Sequence, residues 1–456
     1  MTLYRRGPVA GRAECAAALA GWLVAAAGPG ASHGWGAAHG PGAARQPASP
    51  PPLSPLPAPV LRSVPVGRDP VALAVDQRTG RVFVVGAAGS VTTLDATTGA
   101  PLRSVAVGRG AQAVAVDEAT GRAFVTDPGR LFMLDARTGA VLRAFPLNGG
   151  IQSQSSPAVD ETHGEVFVAT HGAPGSNPVG PAHPPNISVL DATTGQLRRA
   201  IPVGTDLLAV DGSARRLILP YSCGDTPGVA DLCVDTLDAT TGRRIKTADL
   251  SSQQGYEQQP SAVAVDARAG SAVVLYGDGR GDANIGVVAT RTGAPRTPVV
   301  GAGGSFGLIA VDERVGRVAV VTTPDNYALA TGSPPSPAAS VSVVNARNGD
   351  VVGGDSIPNI PCGEASPVGV AADMNGTYFY VAATPSPFAT ARSSHTILDV
   401  LDARTGKLLR RVTLPYAAIP LSGVESVAMA VDGRTGRLFI ANGSNNTVSM
   451  LDTARL

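Results

Sequence analysis

Three acidic residues, Asp69, Glu364 and Glu425, stand just before short apolar runs at matching or nearly matching points of a recurring pattern. Carboxylates brought together in that way would suit a hard cation such as calcium. Two glutamine-rich stretches offer a different chemistry: Gln152 and Gln154 in one, Gln254, Tyr256, Glu257 and Gln258 in the other. Their amide and phenol groups suit a sugar or a peptide, and suit a plain solvated loop as well. Cys223 and Cys233, with nine residues between them in a Gly- and Pro-containing stretch, can close a disulfide. Cys362 is left odd, either a buried thiol or a partner for one of those two. The histidines form no ligand set by spacing, although His171 and His183 share one long loop. The stretch from Gly277 to Asn284 spaces oxygens somewhat like a calcium loop and contains Arg-Gly-Asp. Arg280 nevertheless stands where such loops carry Asp or Asn, so the stretch reads as a solvated turn. No G-x-S-x-G, phosphate-binding loop, H-E-x-x-H, zinc spacing or C-x-x-C-H is present, and no residue is assigned as catalytic.

What must position these residues is a pattern that occurs eight times between about residue 60 and the last residue. Its first half reads A-V-D, three residues, then Gly and an apolar run, with the aspartate at Asp76, Asp117, Asp160, Asp211, Asp266, Asp312, Asp373 and Asp432. The second half is an apolar run ending L-D-A-x-T-G, at Asp95, Asp135, Asp191, Asp238, Asp402 and Asp452, with Thr290 and Asn345 standing in twice. Each copy divides into four short strands separated by Asp and Gly turns, which is an antiparallel meander. Asp accepts from backbone amides two or three residues on and Gly supplies positive φ, so the repeated aspartates read as structural. One meander cannot bury both faces, so neighbours must stack, and a ring leaves no end face exposed. The repeats open on LRSVPV at Leu61–Val66, a fourth strand without a blade, and end at Met450-Leu451-Asp452, a third strand without a fourth. The predicted fold is therefore all-β: an eight-bladed β-propeller of four-stranded antiparallel blades, closed by pairing of the N-terminal strand with the C-terminal blade. Seven blades plus one irregular element is the alternative.

The copies resemble the YVTN family of β-propeller repeats over residues 60–456. The last copy carries the likeness best, with Arg437-Leu438-Phe439-Ile440-Ala441-Asn442 and Asn446-Thr447-Val448-Ser449-Met450-Leu451-Asp452. Two copies depart from the pattern: Arg215 replaces the turn glycine of the fourth, and the turn from Asp373 to Gly376 is shortened in the seventh.

Composition narrows the partners. The formal charge is +1 with no run of like charge, so a nucleic-acid or anionic-membrane partner lacks the basic face it would need. Aromatic residues are 4% and both tryptophans precede the repeats, which leaves the core to Val, Ala, Leu and Ile. Residues 1–40 contain Arg5, Arg6 and Arg12 followed by about 13 uncharged, largely apolar residues from Cys15 to Ala27, which fits a secretory signal or a disordered alanine-rich tail. Residues 41–59 are proline-rich and read as a semi-rigid linker unable to join a sheet. The expected location is secreted, periplasmic or cell-envelope, without a transmembrane span, and the expected state is a monomer.

In a meander the turns after strands one and three share one face and the loops after strands two and four share the other. The first set is short and repetitive here, whereas the second varies, so any site belongs on the variable-loop face near the channel mouth. The leading functional reading is an exported, non-catalytic scaffold that binds a protein, a peptide or a cell-envelope glycan, with no cofactor or at most calcium. The alternative is an enzyme resembling propeller lactonases or streptogramin lyases, with a metal at Asp69, Glu364 and Glu425 near His395. Pyrroloquinoline quinone dehydrogenases also use eight blades, but they resemble one another through Trp-containing repeats, and residues 60–456 hold no Trp.

Overall fold

The computed structural model describes residues 56–57, 60–147, 156–170, 185–205, 207–226, 229–250, 258–277, 283–296, 300–301, 307–322, 340–357, 365–373, 375–385, 396–414, 427–443 and 445–456. Within these the chain forms eight antiparallel sheets, each begun by one repeat. Blade one shows the plan: Pro70–Asp76 innermost, then Arg81–Gly86, Ser90–Asp95 and Pro101–Ala106 outermost. The innermost strands adjoin in chain order around the ring, and Met429–Asp432 of blade eight adjoins Pro70–Asp76 of blade one. The eight-bladed reading holds, and the seven-bladed alternative falls.

Closure follows the strand phase that the repeats imply. Val60–Pro65 pairs antiparallel with Thr447–Asp452, Ser63 opposite Ser449 and Val64 opposite Val448, and so completes blade eight. The seam is reinforced by Asn446, which takes φ 57° in the turn before that strand. Its carbonyl accepts from the Val66 amide at 2.9 Å, and its side-chain Oδ1 accepts from the Asp69 amide at 2.8 Å.

Alternating strand residues point toward the blade on either side, and an apolar cluster fills each junction. An aromatic ring lies fully buried at one equivalent place in five blades, as Phe83, Phe124, Phe167, Tyr380 and Phe439. Ile218, Val273 and Ala319 take that place in blades four, five and six, so the ring's interior is less filled by aromatics there. Arginines also stitch the blades together by donating to turn carbonyls of the next blade. Arg81 reaches Arg137 at 3.2 Å, Arg143 reaches Thr194 at 3.2 Å and Arg317 reaches Arg404 at 3.3 Å. Equivalent bonds join three to four, four to five, seven to eight and eight to one. Among the described residues no such arginine bond joins blade five to blade six, and the outermost strand of blade five is only Val300–Gly301.

The proline-rich stretch departs from expectation at one point. Leu56–Pro57 pairs in parallel with the outermost strand of blade seven, Leu408–Leu414, giving that sheet a fifth strand. Proline is tolerated there because an outer edge needs no donor on its far side.

Candidate functional site

The repeated aspartates give one carboxylate oxygen to their own turns, the structural role that the repeat pattern implies. Asp76 Oδ1 accepts from the Thr79 amide at 2.8 Å, Asp117 from Thr120 at 2.9 Å and Asp266 from Ala269 at 2.8 Å, and all three are fully buried. In the second turn, Asp95 Oδ1 accepts from the amides of Thr97 and Thr98 and from the Thr98 hydroxyl. Partial burial pushes the Asp95 carboxyl up, but those bonds and Arg81 outweigh it and hold it below the usual range. Asp135, Asp191, Asp238 and Asp402 repeat the arrangement.

The variable-loop face holds the described part of the candidate site, and blade four builds it. Arg216–Thr226 and Val229–Asp238 run 11 and 10 residues, where the matching strands of blade one have six each. The extra length carries the hairpin beyond its own innermost strand, Ala209–Asp211, whose ladder with it ends at Ile218. Pro220 lies two residues further and has no amide to continue the ladder. A disulfide joins Cys223 and Cys233 near the hairpin's end, with Cα atoms 5.7 Å apart. Ser222, next to Cys223, donates its hydroxyl to the Gln258 carbonyl at 2.6 Å, which ties the hairpin to the chain entering blade five. Below that tie, Tyr276 donates its hydroxyl to the Leu250 carbonyl at 2.7 Å, again crossing from blade five to blade four.

The hairpin's outward side carries a polar group that sequence reasoning missed. Asp235, 1% exposed, accepts from the Thr247 hydroxyl at 2.5 Å and pairs with Arg244 at 2.8 Å. Tyr221 lies beside it, and burial first, then the Asp235 charge, raises its phenol above the ordinary value. The signal was present as an Asp in the middle of an apolar strand, where other copies carry Thr92 or Ser449.

Of the sequence-predicted residues, the structure brings together Cys223, Cys233 and the backbone of Gln258, a residue 1% exposed. Gln152, Gln154, Gln254, Tyr256, Glu257, Glu364 and Glu425 lie outside the described residues, as do Cys362, His171, His183 and His395. Asp69 is described, at φ 58° on the seam between blades eight and one, where its carbonyl accepts from the Ala87 amide at 2.8 Å. Among the described residues no three His, Cys, Asp or Glu side chains are grouped to hold a metal ion.

Two charged groups elsewhere were also missed. Glu165, 2% exposed, replaces the arginine that begins the second strand in blades one and two, and receives Arg198 at 3.2 Å, Arg199 at 2.8 Å and Arg215 at 2.8 Å. Arg215 reaches it, and Asp160 at 3.3 Å, from the left-handed conformation at φ 58° that the turn glycine takes in other copies. Its departure from the repeat is therefore the counterpart of Glu165 on the neighbouring blade. In blade seven, Arg411 and Asp399, both almost fully buried, pair through two bonds of 2.7 and 2.6 Å.

The chain matches no family model and no curated protein. Solved structures do match. BamB from Moraxella catarrhalis aligns with a TM-score of 0.52 at 15% identity, over 86% of this chain and 99% of its own. The computationally designed Ika8 protein aligns with a TM-score of 0.52 at 16% identity, over 85% and 98%. The β-propeller domain of Cps50 (Swd1) from Myceliophteria thermophila aligns with a TM-score of 0.47 at 12% identity, over 87% and 99%. At such identities the BamB and Ika8 likeness is one of fold. No helix among the described residues is long and apolar enough to cross a membrane. The chain carries the β-propeller fold.

Proposed function

We propose that this protein is an exported, non-catalytic scaffold that binds a protein, peptide or cell-envelope glycan on its variable-loop face, beside the stapled hairpin of blade four. The supporting observation is the lengthened hairpin, held by Cys223–Cys233 and tied by Ser222 to Gln258 at the entry to the glutamine-rich blade. A disulfide at this place suits an oxidising compartment and a rim that must keep its shape while loops around it vary. The repetitive face, by contrast, spends its carboxylates and threonines on its own turns. The fold of BamB and Ika8 fits this reading without choosing a ligand.

Arrays of peptides and cell-envelope glycans test it, with hits measured by calorimetry. Tyr221→Ala and Ser222→Lys should weaken a hit at least about tenfold, which is ~1.4 kcal/mol. Thr97→Lys and Thr138→Lys on the opposite face should leave it unchanged. Binding that follows the turn-face substitutions, or hydrolysis of a lactone abolished by chelator, would overturn the proposal.

A further inference from the structure

The aspartates that end the innermost strands spend Oδ1 on their own turns, and the junctions between blades differ in what meets Oδ2. Between blades three and four it is a guanidinium: Arg215 Nη1 lies 3.3 Å from Asp160 Oδ2 and 2.8 Å from Glu165 Oε2, and so spans both acids. Between blades four and five it is a hydroxyl, since fully buried Thr290 donates to Asp211 Oδ2 at 2.5 Å. Between blades five and six the chain supplies neither. Asp266 Oδ2 and Ser271 Oγ belong to fully buried residues and have no hydrogen-bond partner among the described residues. The two residues pair directly across adjacent strands, as Asp160 and Glu165 do. Blade six brings Ala346 to this place: its amide bonds the Gly316 turn carbonyl as that of Thr290 bonds Gly270. A Cβ on Gly316 would lie 3.8 Å from Asp266 Oδ2, so that oxygen points at blade six. Blades two and three repeat the case: Asp117 Oδ2 and Thr120 Oγ1 are buried without partners, and Ala192 takes the place of Thr290.

We infer that the junctions of blades two with three and five with six are internal binding sites, each for one buried water molecule that links a turn of one blade to the next. The water donates to the aspartate Oδ2 and forms a second bond with the hydroxyl of Ser271 or Thr120. A buried carboxylate oxygen left unpaired is costly, and a water is held where about two or more polar groups meet it. Alanine leaves the room for it, lacking the hydroxyl and methyl that Thr290 puts at the same place. A metal ion would need a larger set of oxygens than one carboxylate and one hydroxyl, and no three acidic or imidazole side chains are grouped among the described residues. Asp76 and Asp312 also leave Oδ2 unpartnered, but no second unpartnered hydroxyl accompanies either on its turn or on the strand end it pairs with, so the site is confined to two junctions.

Oxygen-17 relaxation dispersion of water, which counts long-lived internal molecules, tests the inference on the full-length chain. Ala192→Thr with Ala346→Thr carries the Thr290 hydroxyl to both junctions and should lower the count by two. Thr120→Ala with Ser271→Ala, which adds no bulk, removes the second partner at each site and should lower it by two as well. Melting then separates a hydrogen-bonding role from mere filling. The double threonine variant should melt at least about 2 °C above Ala192→Val with Ala346→Val, which has the same shape and no donor. A count unchanged in either double variant, or threonine and valine variants that melt together, would overturn the inference. So would a wild-type melting temperature that is higher in sodium or potassium chloride than in choline chloride at equal ionic strength, because the occupant would then be a cation.

Discussion

Replacing Glu165 with glutamine isolates the largest electrostatic feature of the structure. Burial alone would raise this carboxyl, but hydrogen bonds and charge from Arg199 and Arg215 dominate and bring it from 4.5 down to about 2. By linkage that fall corresponds to an upper bound of about 3 kcal/mol. The three arginine side chains are 39%, 25% and 21% exposed, so solvent screening reduces the contribution to about 1–2 kcal/mol. For a chain of this size that is a fall in Tm of about 2–4 °C at neutral pH. The sign with pH is fixed by the direction of the shift. A lowered carboxylate pKa contributes fully above its unfolded value, loses its contribution as pH falls from 4.5 to about 2, and contributes nothing below. Glu165→Gln should therefore be less stable than wild type at pH 7 and equal to it near pH 2. Urea titrations followed by far-ultraviolet circular dichroism at pH 7, 4, 3 and 2 measure the difference. A penalty that persists undiminished at pH 2, or one below about 0.5 kcal/mol at pH 7, would refute the assignment of this cluster as an interblade clamp.

Exchange rates should be uneven around the ring. The junction of blades five and six, with its small core residues, two-residue outer strand and no described arginine stitch, should show the fastest amide exchange among the eight junctions. Replacing Cys223 and Cys233 with alanine should cost about 2–3 kcal/mol by loop-closure entropy, with faster exchange confined to Tyr221–Cys233; an unchanged melting curve would argue against a structural staple. Asp312→Asn should raise Tm at pH 7, since burial lifts this carboxyl above its usual range and its Oδ2 has no hydrogen-bond partner. A raised acid pKa penalises the charged form, so the gain should vanish as pH falls below the ordinary aspartate range, and a gain that grows on acidification would contradict it. Gly353→Ala should destabilise, because a Cβ there would lie 2.0 Å from the Thr405 carbonyl oxygen of the next blade; a melting temperature equal to wild type would show that the junction gives way.

The architecture was legible because the turns repeat. Asp76 and its seven counterparts mark where each innermost strand ends, and the leftover strands at Leu61 and Met450 announced the closure. The hairpin of blade four was visible only as two cysteines in a variable loop, since the strand lengthening depends on pairing across residues that look like loop. Arg215 read as a defect in its own repeat because its reason, Glu165, lies 50 residues earlier on another blade. Gln258 reads as a ligand-binding candidate, and its burial depends on tertiary packing that no local pattern encodes. The short pairing of Leu56–Pro57 with blade seven escapes a local reading for a different cause. Proline density argues against a sheet, whereas an outer edge accepts a strand that has no donor on its far side.

The assignment of a working face depends on the phase of the strands, and that phase depends on the N-terminal strand lying beside the last one. Ser63 and Ser449 face each other directly across this closure, within the Cα separation that a disulfide spans. Ser63→Cys with Ser449→Cys, oxidised and digested, should yield one intramolecular crosslinked peptide pair in a monomer whose Tm exceeds that of its reduced form. Two free thiols, or crosslinks only between separate chains, would mean that the ring is not closed in this way and that the loops have been assigned to the wrong face.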